Sequence, residues 1–311
     1  MIPICTEIEN LIHPVQLRED EYINESGLIC CTECRTPRQK RIEISGRTIE
    51  PRCLCKCQQV DRDKWEQEQK HQEFLDMVAR NRSVGLPDPE LRRHTFENDL
   101  GYNPKQIEMA KRYVQHWEEF KKDSTGLLLW GDVGTGKSFI AGCIANALLD
   151  KGVPVIMTNF ARLLNKLTDM YAGDRNAYID SFNRYQLMII DDLGIERNSE
   201  FAREQVFSVI DSRYRSQLPM IVTTNLTVDE LMDPADLARG RIYSRVLERC
   251  LPIRVSDQNI RDLNQAAVFD RATQLLGGAK IKAGGNCESM NANAIPVLEN
   301  KMVETAYLLR R

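Results

Sequence analysis

The sequence predicts an α/β fold: a parallel sheet of about five strands with crossover helices, preceded by a small Cys-rich module and a helical linker. Three observations predict it. Short apolar runs recur at GLLLW (126–130), VPVIM (153–157), LMII (187–190), MIVTT (220–224) and LPIRV (251–255). They start roughly thirty residues apart with a helix-length amphipathic stretch in each gap, the rhythm of buried parallel strands joined by helices. A Gly-rich turn at 131–136 separates the first run from a helix-forming stretch, and five of the ten cysteines crowd into residues 31–57.

With 311 residues, 42% of them hydrophobic, the chain has room for one sizeable α/β domain plus a smaller unit. No window approaches 18 consecutive apolar residues, so no membrane span is expected. The opening MIPICTEIENLIHP lacks a basic start and a long apolar run, which points away from a signal peptide and toward the cytoplasm. Residues 1–60 read as the Cys-rich module. Residues 61–95 read as a helical linker, with Trp65, Phe74, Leu75 and Val78 at loosely helical spacing until the two prolines of VGLPDPELRR end the helix. Residues 96–265 read as the α/β domain, and 266–311, rich in Gly, Asn and Ala, as a loose tail.

Gly131, Asp132, Val133, Gly134, Thr135, Gly136, Lys137 and Ser138 match G-x-x-x-x-G-K-[ST] in full, after a strand and before the helix FIAGCIANALL. In that context the glycines let backbone N–H groups wrap phosphates, and the helix N-terminus adds its positive end. Lys137 is then the contact to the β- and γ-phosphates of ATP, and the Ser138 hydroxyl a ligand of Mg2+. Asp191 and Asp192 end the third apolar run. A carboxylate at a strand end beside a phosphate loop can hold Mg2+, the role that suits Asp191, while Asp192 is placed to polarise an attacking water. Two adjacent acids also serve as an ordinary strand cap. Thr224 and Asn225 follow the fourth run, where a polar side chain can orient that water, although Asn is equally a common turn residue. Arg241, Arg245 and Arg249 are spaced by four and share a helix face. Such a row is either a solvated or acid-paired surface, or a source of a guanidinium for a neighbouring subunit's γ-phosphate. No N-K-x-D guanine-reading motif follows the fourth run, which argues against a GTPase.

In combination, GLLLWGDVGTGKSFIAGCIANALL, LMIIDDLG, IVTTNL, RIYSRVLERC and NIRDL, in that order, resemble the AAA+ ATPases of the DnaC-like replicative helicase loaders and the IstB-like transposition ATPases. The resemblance spans about residues 85–265. It implies a P-loop NTPase core of the AAA+ type, Asn225 as sensor I, Arg245 as the arginine finger with Arg241 in reserve, and Arg261 as sensor II. GLICCTECRTP followed by PRCLCKCQ resembles the zinc module fused to this ATPase in Gram-positive and phage loader-like proteins.

The cysteines support that reading independently. Cys31 and Cys34 form a C-x2-C knuckle, and Cys53, Cys55 and Cys57 offer a second half. Zn2+ takes four soft ligands in a tetrahedron, and the preferred set is Cys31, Cys34, Cys55 and Cys57 with Cys53 as alternate. Free or disulfide-linked thiols and an iron–sulfur cluster are the competing readings. Residues 35–64 hold nine basic side chains against four acids. That balance permits nucleic-acid contact without demanding it, because few aromatics are interleaved for base stacking.

The expectation is therefore an ATP-hydrolysing loader with ATP, Mg2+ and Zn2+ as cofactors. The zinc module docks on a hexameric replicative helicase, the ATPase domains assemble as a homo-oligomer when ATP-bound, and single-stranded DNA threads the assembly. The alternatives are a transposition helper acting on duplex DNA and a zinc-dependent adaptor in which ATP is structural.

Overall fold

The computed structural model describes residues 17–44, 46–194, 199–233, 236–255 and 259–276. At the N-terminal end two small antiparallel pairs form, β1 (Glu21–Ile23) with β2 (Ile29–Cys31) and β3 (Ile42–Ile44) with β4 (Arg47–Ile49). Isolated bridges join Cys30 to Pro37 and Gln39 to Arg52, and the Cys53 amide donates to the Arg38 carbonyl at 2.7 Å. This short ladder folds residues 53–57 back onto the 31–34 knuckle.

Helix α1 (Lys56–Gly85) starts earlier than residue 61, with Cys55 at its N-cap and Cys57 on its first turn. Its first half is solvent-exposed, and its last turn packs on the sheet. There Leu86 is buried, and a Cβ on Gly85 would run into the Val155 carbonyl, so only glycine permits the approach. Arg82 pairs with Asp150 across this contact. After the two prolines, α2 (Pro104–Gln115), with Pro104 at its first turn, and α3 (Trp117–Lys122) lead into the sheet.

The sheet has five parallel strands, as expected: β5 (Gly126–Trp130), β6 (Val155–Asn159), β7 (Leu187–Leu193), β8 (Met220–Thr224) and β9 (Cys250–Arg254), in the order β6-β7-β8-β5-β9. The crossovers are α4 (Lys137–Asp150), α5 (Phe160–Thr168) with α6 (Ala172–Asp180), α7 (Glu200–Arg215), and α8 (Val228–Met232) with α9 (Leu237–Arg249). β6 begins two residues later than its apolar run because Pro154 has no N–H for the ladder; its carbonyl instead accepts from the Gln186 amide at 2.9 Å. Alternation along the strands feeds two cores. Leu128, Met188, Ile190 and Val222 face α5, α7 and α9 through Leu163, Val206, Ile210 and Val246. Leu127, Leu129, Ile189 and Ile221 face α4 and α2 through Ile140, Ile144, Leu148 and Tyr113. Each such aliphatic side chain contributes about 1.5–3 kcal/mol on full burial, which is what holds strands with so few polar residues in the middle.

At the opposite end of the sheet from the strand C-termini, Arg213 is fully buried. It donates to the carbonyls of Tyr185, Gln186 and Pro219 at 2.7–3.1 Å, and burial pushes its guanidinium down to about 9. It satisfies carbonyls ahead of β7 and β8, among them that of Pro219, which also accepts the Met188 amide of β7 at 3.4 Å.

Two features of the C-terminal edge matter for the site. Between β7 and β8 the register runs Ile190↔Val222 and then Leu193↔Thr224, so Asp191 and Asp192 bulge opposite the single residue Thr223. Helix α10 (Ile260–Leu275) continues ten residues beyond the boundary read at 265, held at its start by the Asn259 cap. The remaining tail, from 277, lies outside the described residues. No described helix is long and apolar enough to cross a membrane.

Candidate nucleotide site and cysteine cluster

The parallel order places the loop after β5 and the ends of β7 and β8 side by side, at the strand edge where open α/β sheets bind ligands. The loop turns into α4 at Gly136, so the first free N–H groups of α4 point into the loop's concavity. Gly134 has φ +82°, and a Cβ there would also collide with the Asn259 side chain at the α10 cap. The Ile260 amide donates to the Gly134 carbonyl at 2.9 Å, which seats the α10 N-terminus on the loop. Lys137 is buried, and its Nζ donates to the carbonyls of Gly131 and Asp132 at 2.8 and 2.7 Å. Burial pushes its ammonium down from the ordinary lysine range, while Asp192, Asp191 and Asp132 oppose that. Ser138 Oγ donates to Asp191 Oδ1 at 2.8 Å.

A cavity of about 490 Å³ opens over the loop. Val133, Gly134, Thr135, Gly136, Lys137 and Ser138 form one wall, and Asp192, Asn225 and Arg261 converge on it from β7, β8 and α10. Gly131 and Asp132 meet this wall through Lys137, and Asp191 meets it through Ser138. Burial, and then the neighbouring Asp191 charge, raise the Asp192 carboxyl above the ordinary range; Lys137 and Arg261 pull the other way. The donor set fits a nucleoside triphosphate with a hard divalent ion. Backbone amides and a lysine would face the phosphates, and a hydroxyl and a carboxylate stand 2.8 Å apart as a pair that would hold Mg2+.

Arg245 is not among the residues lining this cavity. It lies on α9 against α7, 2.9 Å from Asp211, with its guanidinium over the rings of Phe207 and Tyr214 at 4.7 and 5.6 Å. Arg249 also covers Tyr214, whereas Arg241 is exposed.

Another part of the cavity lining comes from residues that carry no recognised motif in the sequence. His94 and Asn103 line it together with Tyr102 and Phe139. The His94 and Phe139 rings stand 5.2 Å apart, and Asn103 Nδ2 donates to the Thr135 carbonyl at 2.9 Å. Burial lowers the His94 pKa from the ordinary imidazole value, with the Glu90 charge opposing it. Asn103-Pro104 is a helix-start signal, and it was the one local cue to this wall.

In the N-terminal module, Cys31, Cys34, Cys55 and Cys57 bring their sulfurs within 4.8 Å of one another. Cys57 lies 3.6 Å from Cys31, 3.1 Å from Cys55 and 3.6 Å from Cys34. A tetrahedron with Zn–S bonds of about 2.3 Å has edges of about 3.8 Å, so the quartet fits a thiophilic ion. All eight described cysteines are free, and Cys53 is exposed with its sulfur 3.7 Å from the Pro37 carbonyl, away from the quartet. The Thr36 hydroxyl beside Cys34 holds that thiol down at about 5, while the Cys55 sulfur and then burial push the Cys57 thiol up. A cation among the four sulfurs relieves that conflict. The positive balance of residues 35–64 is offset by acids outside that window. Arg38 pairs with Asp20 at 2.6 Å and with Glu21 at 3.2 Å, and Arg52 pairs with Glu21 at 2.8 Å.

The sequence profile of the IstB-like ATP binding proteins matches residues 65–267, about two thirds of the chain. The chain belongs to this family. Within it, the five-stranded parallel sheet and phosphate loop make an AAA+ P-loop fold. The IstB-like chain is 24% identical over 140 residues to the replicative helicase loader DnaC of Escherichia coli K12, covering 44% of this chain and 57% of that protein. It is 26% identical over 183 residues to the replicative helicase loader DnaI of Bacillus subtilis 168, covering 54% and 58%. It thus spans a little over half the length of these curated relatives. Among solved structures, a crystal structure of DnaI is similar with a TM-score of 0.45 and 24% identity, over 54% of this chain and 94% of that one.

Two outcomes follow from this geometry. Metal analysis of the purified chain should find one zinc per chain. Cys55→Ser should lose that zinc and Cys53→Ser should keep it; loss in the Cys53 variant would displace the quartet. For Asp192, a carboxyl raised in the folded state costs stability above its pKa, and that cost vanishes as the group protonates. Asp192→Asn removes the charge and suits the left-handed backbone at φ +62°, so its melting temperature should rise by a few degrees at neutral pH. The gain should shrink in mild acid, and a lower melting temperature at neutral pH would contradict the charge argument.

Proposed function

We propose that the chain is an ATP-dependent loader of a hexameric replicative helicase in the cytoplasm, acting in the initiation of DNA replication. The observation that carries the reading is the convergence of Lys137, Ser138, Asp191, Asp192, Asn225 and Arg261 from separate elements on one phosphate-loop cavity. The family membership and the similarity to DnaC and DnaI supply the biological direction.

In this reading the loop amides and Lys137 hold the triphosphate, and Arg261 adds positive charge from α10. Ser138 and Asp191 would hold Mg2+, which would neutralise charge on the triphosphate when bound. Asp192 accepts the proton of the attacking water, and Asn225 orients that water. Arg245 reaches the γ-phosphate of a neighbouring subunit after leaving Asp211, so the pair at 2.9 Å is the resting state of the finger, and Arg241 is the reserve. Subunits assemble side by side when ATP-bound and grip single-stranded DNA, and hydrolysis releases the helicase. Zinc at the cysteine quartet supplies folding energy to a module with little core of its own.

The module's surface favours protein docking. Ile42, Ile44 and Ile49 are exposed, and the hairpin register places them on one face, while Arg38 and Arg52 are tied to acids. An apolar exposed patch of this kind marks a partner surface.

The test is co-elution of the full chain, ATP and the replicative helicase on a sizing column. A joint complex should form with the parent chain and be lost when Ile42, Ile44 and Ile49 are changed to serine. Arg245→Ala should bind ATP normally and hydrolyse it about 10³-fold more slowly, the lower end of what an arginine finger contributes. No helicase complex together with a strong preference for duplex DNA would overturn the loader reading in favour of the transposition helper.

A further inference from the structure

The β7–β8 bulge gives Thr223 a role that its sequence does not advertise. Asp191 and Asp192 together face this one residue, so the Asp192 amide has no ladder carbonyl opposite it. Thr223 Oγ1 accepts that amide at 2.9 Å. The proton of the same hydroxyl goes to Asp191 Oδ1 at 2.6 Å, the oxygen that also receives Ser138 Oγ at 2.8 Å. One hydroxyl thus uses both its accepting and its donating capacity on the two adjacent acids. Thr223 is fully buried, so no solvent water can substitute for either bond. Its neighbour Thr224 closes the far side of the bulge, donating to the Leu193 carbonyl at 2.7 Å and accepting the Leu226 amide at 3.1 Å.

The backbone of Asp192 shows why this matters. Its φ of +62° lies in the left-handed region, which a residue with a Cβ occupies only where its surroundings hold it. That conformation turns the Asp192 side chain into the cavity while Asp191, its predecessor, faces Ser138. Regular strand geometry would send consecutive side chains to opposite faces of the sheet. The bulge is what lets two consecutive acids serve one site.

We propose that Thr223 is a positioning residue for both acids: its hydroxyl sets Asp191 against Ser138 for the divalent ion and fixes the backbone turn that presents Asp192 to the nucleotide cavity. The inference rests on the nucleotide reading above and deepens it. A purely structural role makes a different forecast, because valine has the same shape as threonine and is at least as well suited to a buried strand.

The experiment compares the full-length parent with Thr223→Val and Thr223→Ser. ATP affinity is measured in EDTA and across a Mg2+ titration, together with kcat and KM for hydrolysis. In EDTA, Thr223→Val should bind ATP within about twofold of the parent, because the loop amides and Lys137 are untouched. Its half-saturating Mg2+ should rise about tenfold and its kcat fall about 10–100-fold with little change in KM, the range seen when a residue supporting a metal ligand is lost. Thr223→Ser keeps the hydroxyl and should return both readouts to within about threefold of the parent. If the valine variant does not fold, Thr223→Ala carries the same forecast. Parent-like Mg2+ dependence and kcat in the hydroxyl-less variant would overturn the inference, as would a serine variant as impaired as valine. A parent chain that neither binds nor hydrolyses Mg–ATP would overturn the nucleotide reading and, with it, this inference.

Discussion

One carboxylate oxygen, Asp191 Oδ1, joins the parts of the chain on which the site depends. It accepts Ser138 from the first turn of α4 and Thr223 from β8, while its own backbone lies in β7, two residues before that strand's end. Those bonds tie the C-terminal ends of the three central strands' connections into one cluster. They are possible only because the order β7-β8-β5 makes these strands neighbours and because parallel crossovers bring every strand out at the same edge. The two apolar layers on either face fix the sheet, and the sheet fixes the distances at its edge. A shift of one residue in the β7 register would send Asp191 to the other face.

Charge at that edge is balanced within a small volume. Asp192, Asp191 and Asp132 pull Lys137 against its burial, and Lys137 and Arg261 pull Asp192 against its own burial, while the neighbouring Asp191 adds to it. A polyanion with a divalent ion adds charge of both signs where both are already matched, which is the electrostatic logic of a phosphate site. The arginines of α9 are handled separately. Arg245 and Arg249 stack on aromatic rings of α7, which keeps them ordered and out of the chain's own cavity. The cysteine module follows a different principle: it has four close sulfurs and a buried arginine, Arg38, that bonds Asp20, Glu21 and Cys31. Cys55 and Cys57 of this quartet are at the cap and first turn of α1, so the same helix that completes the cluster runs on to pack against β6.

Much of this was legible in the chain because the signals are local. Five apolar runs, a complete phosphate-loop motif between a strand and a helix, and the C-x2-C knuckle with its second half each depend on residues close in sequence. β5 and β8 match their apolar runs, β6 starts after Pro154, β7 runs on to Leu193 and β9 sits one residue earlier. What stayed hidden depends on pairing. The bulge at Asp191 and Asp192 exists only against Thr223, thirty-two residues from Asp191. The pairing of Arg245 with Asp211 and the neutralisation of Arg52 by Glu21 are likewise long-range, and no periodicity marks them. His94 and Asn103 fall in a stretch broken by prolines and short turns, so nothing in their spacing ties them to a loop that begins 37 and 28 residues on. Helix α10 outran its expected end because the stretch before Gly277 carries no stop signal of its own.

On the loader reading, the cavity over residues 131–138 holds ATP with an affinity coupled to a divalent ion through Ser138 and Asp191. Calorimetric titration of the full chain with ATP and with GTP, each with and without Mg2+, is the deciding measurement. Saturable binding of one ATP per chain, tightened by Mg2+ and much weaker for GTP, is the expected result. Absence of saturable ATP binding, or equal binding of the two nucleotides with no response to Mg2+, would contradict it.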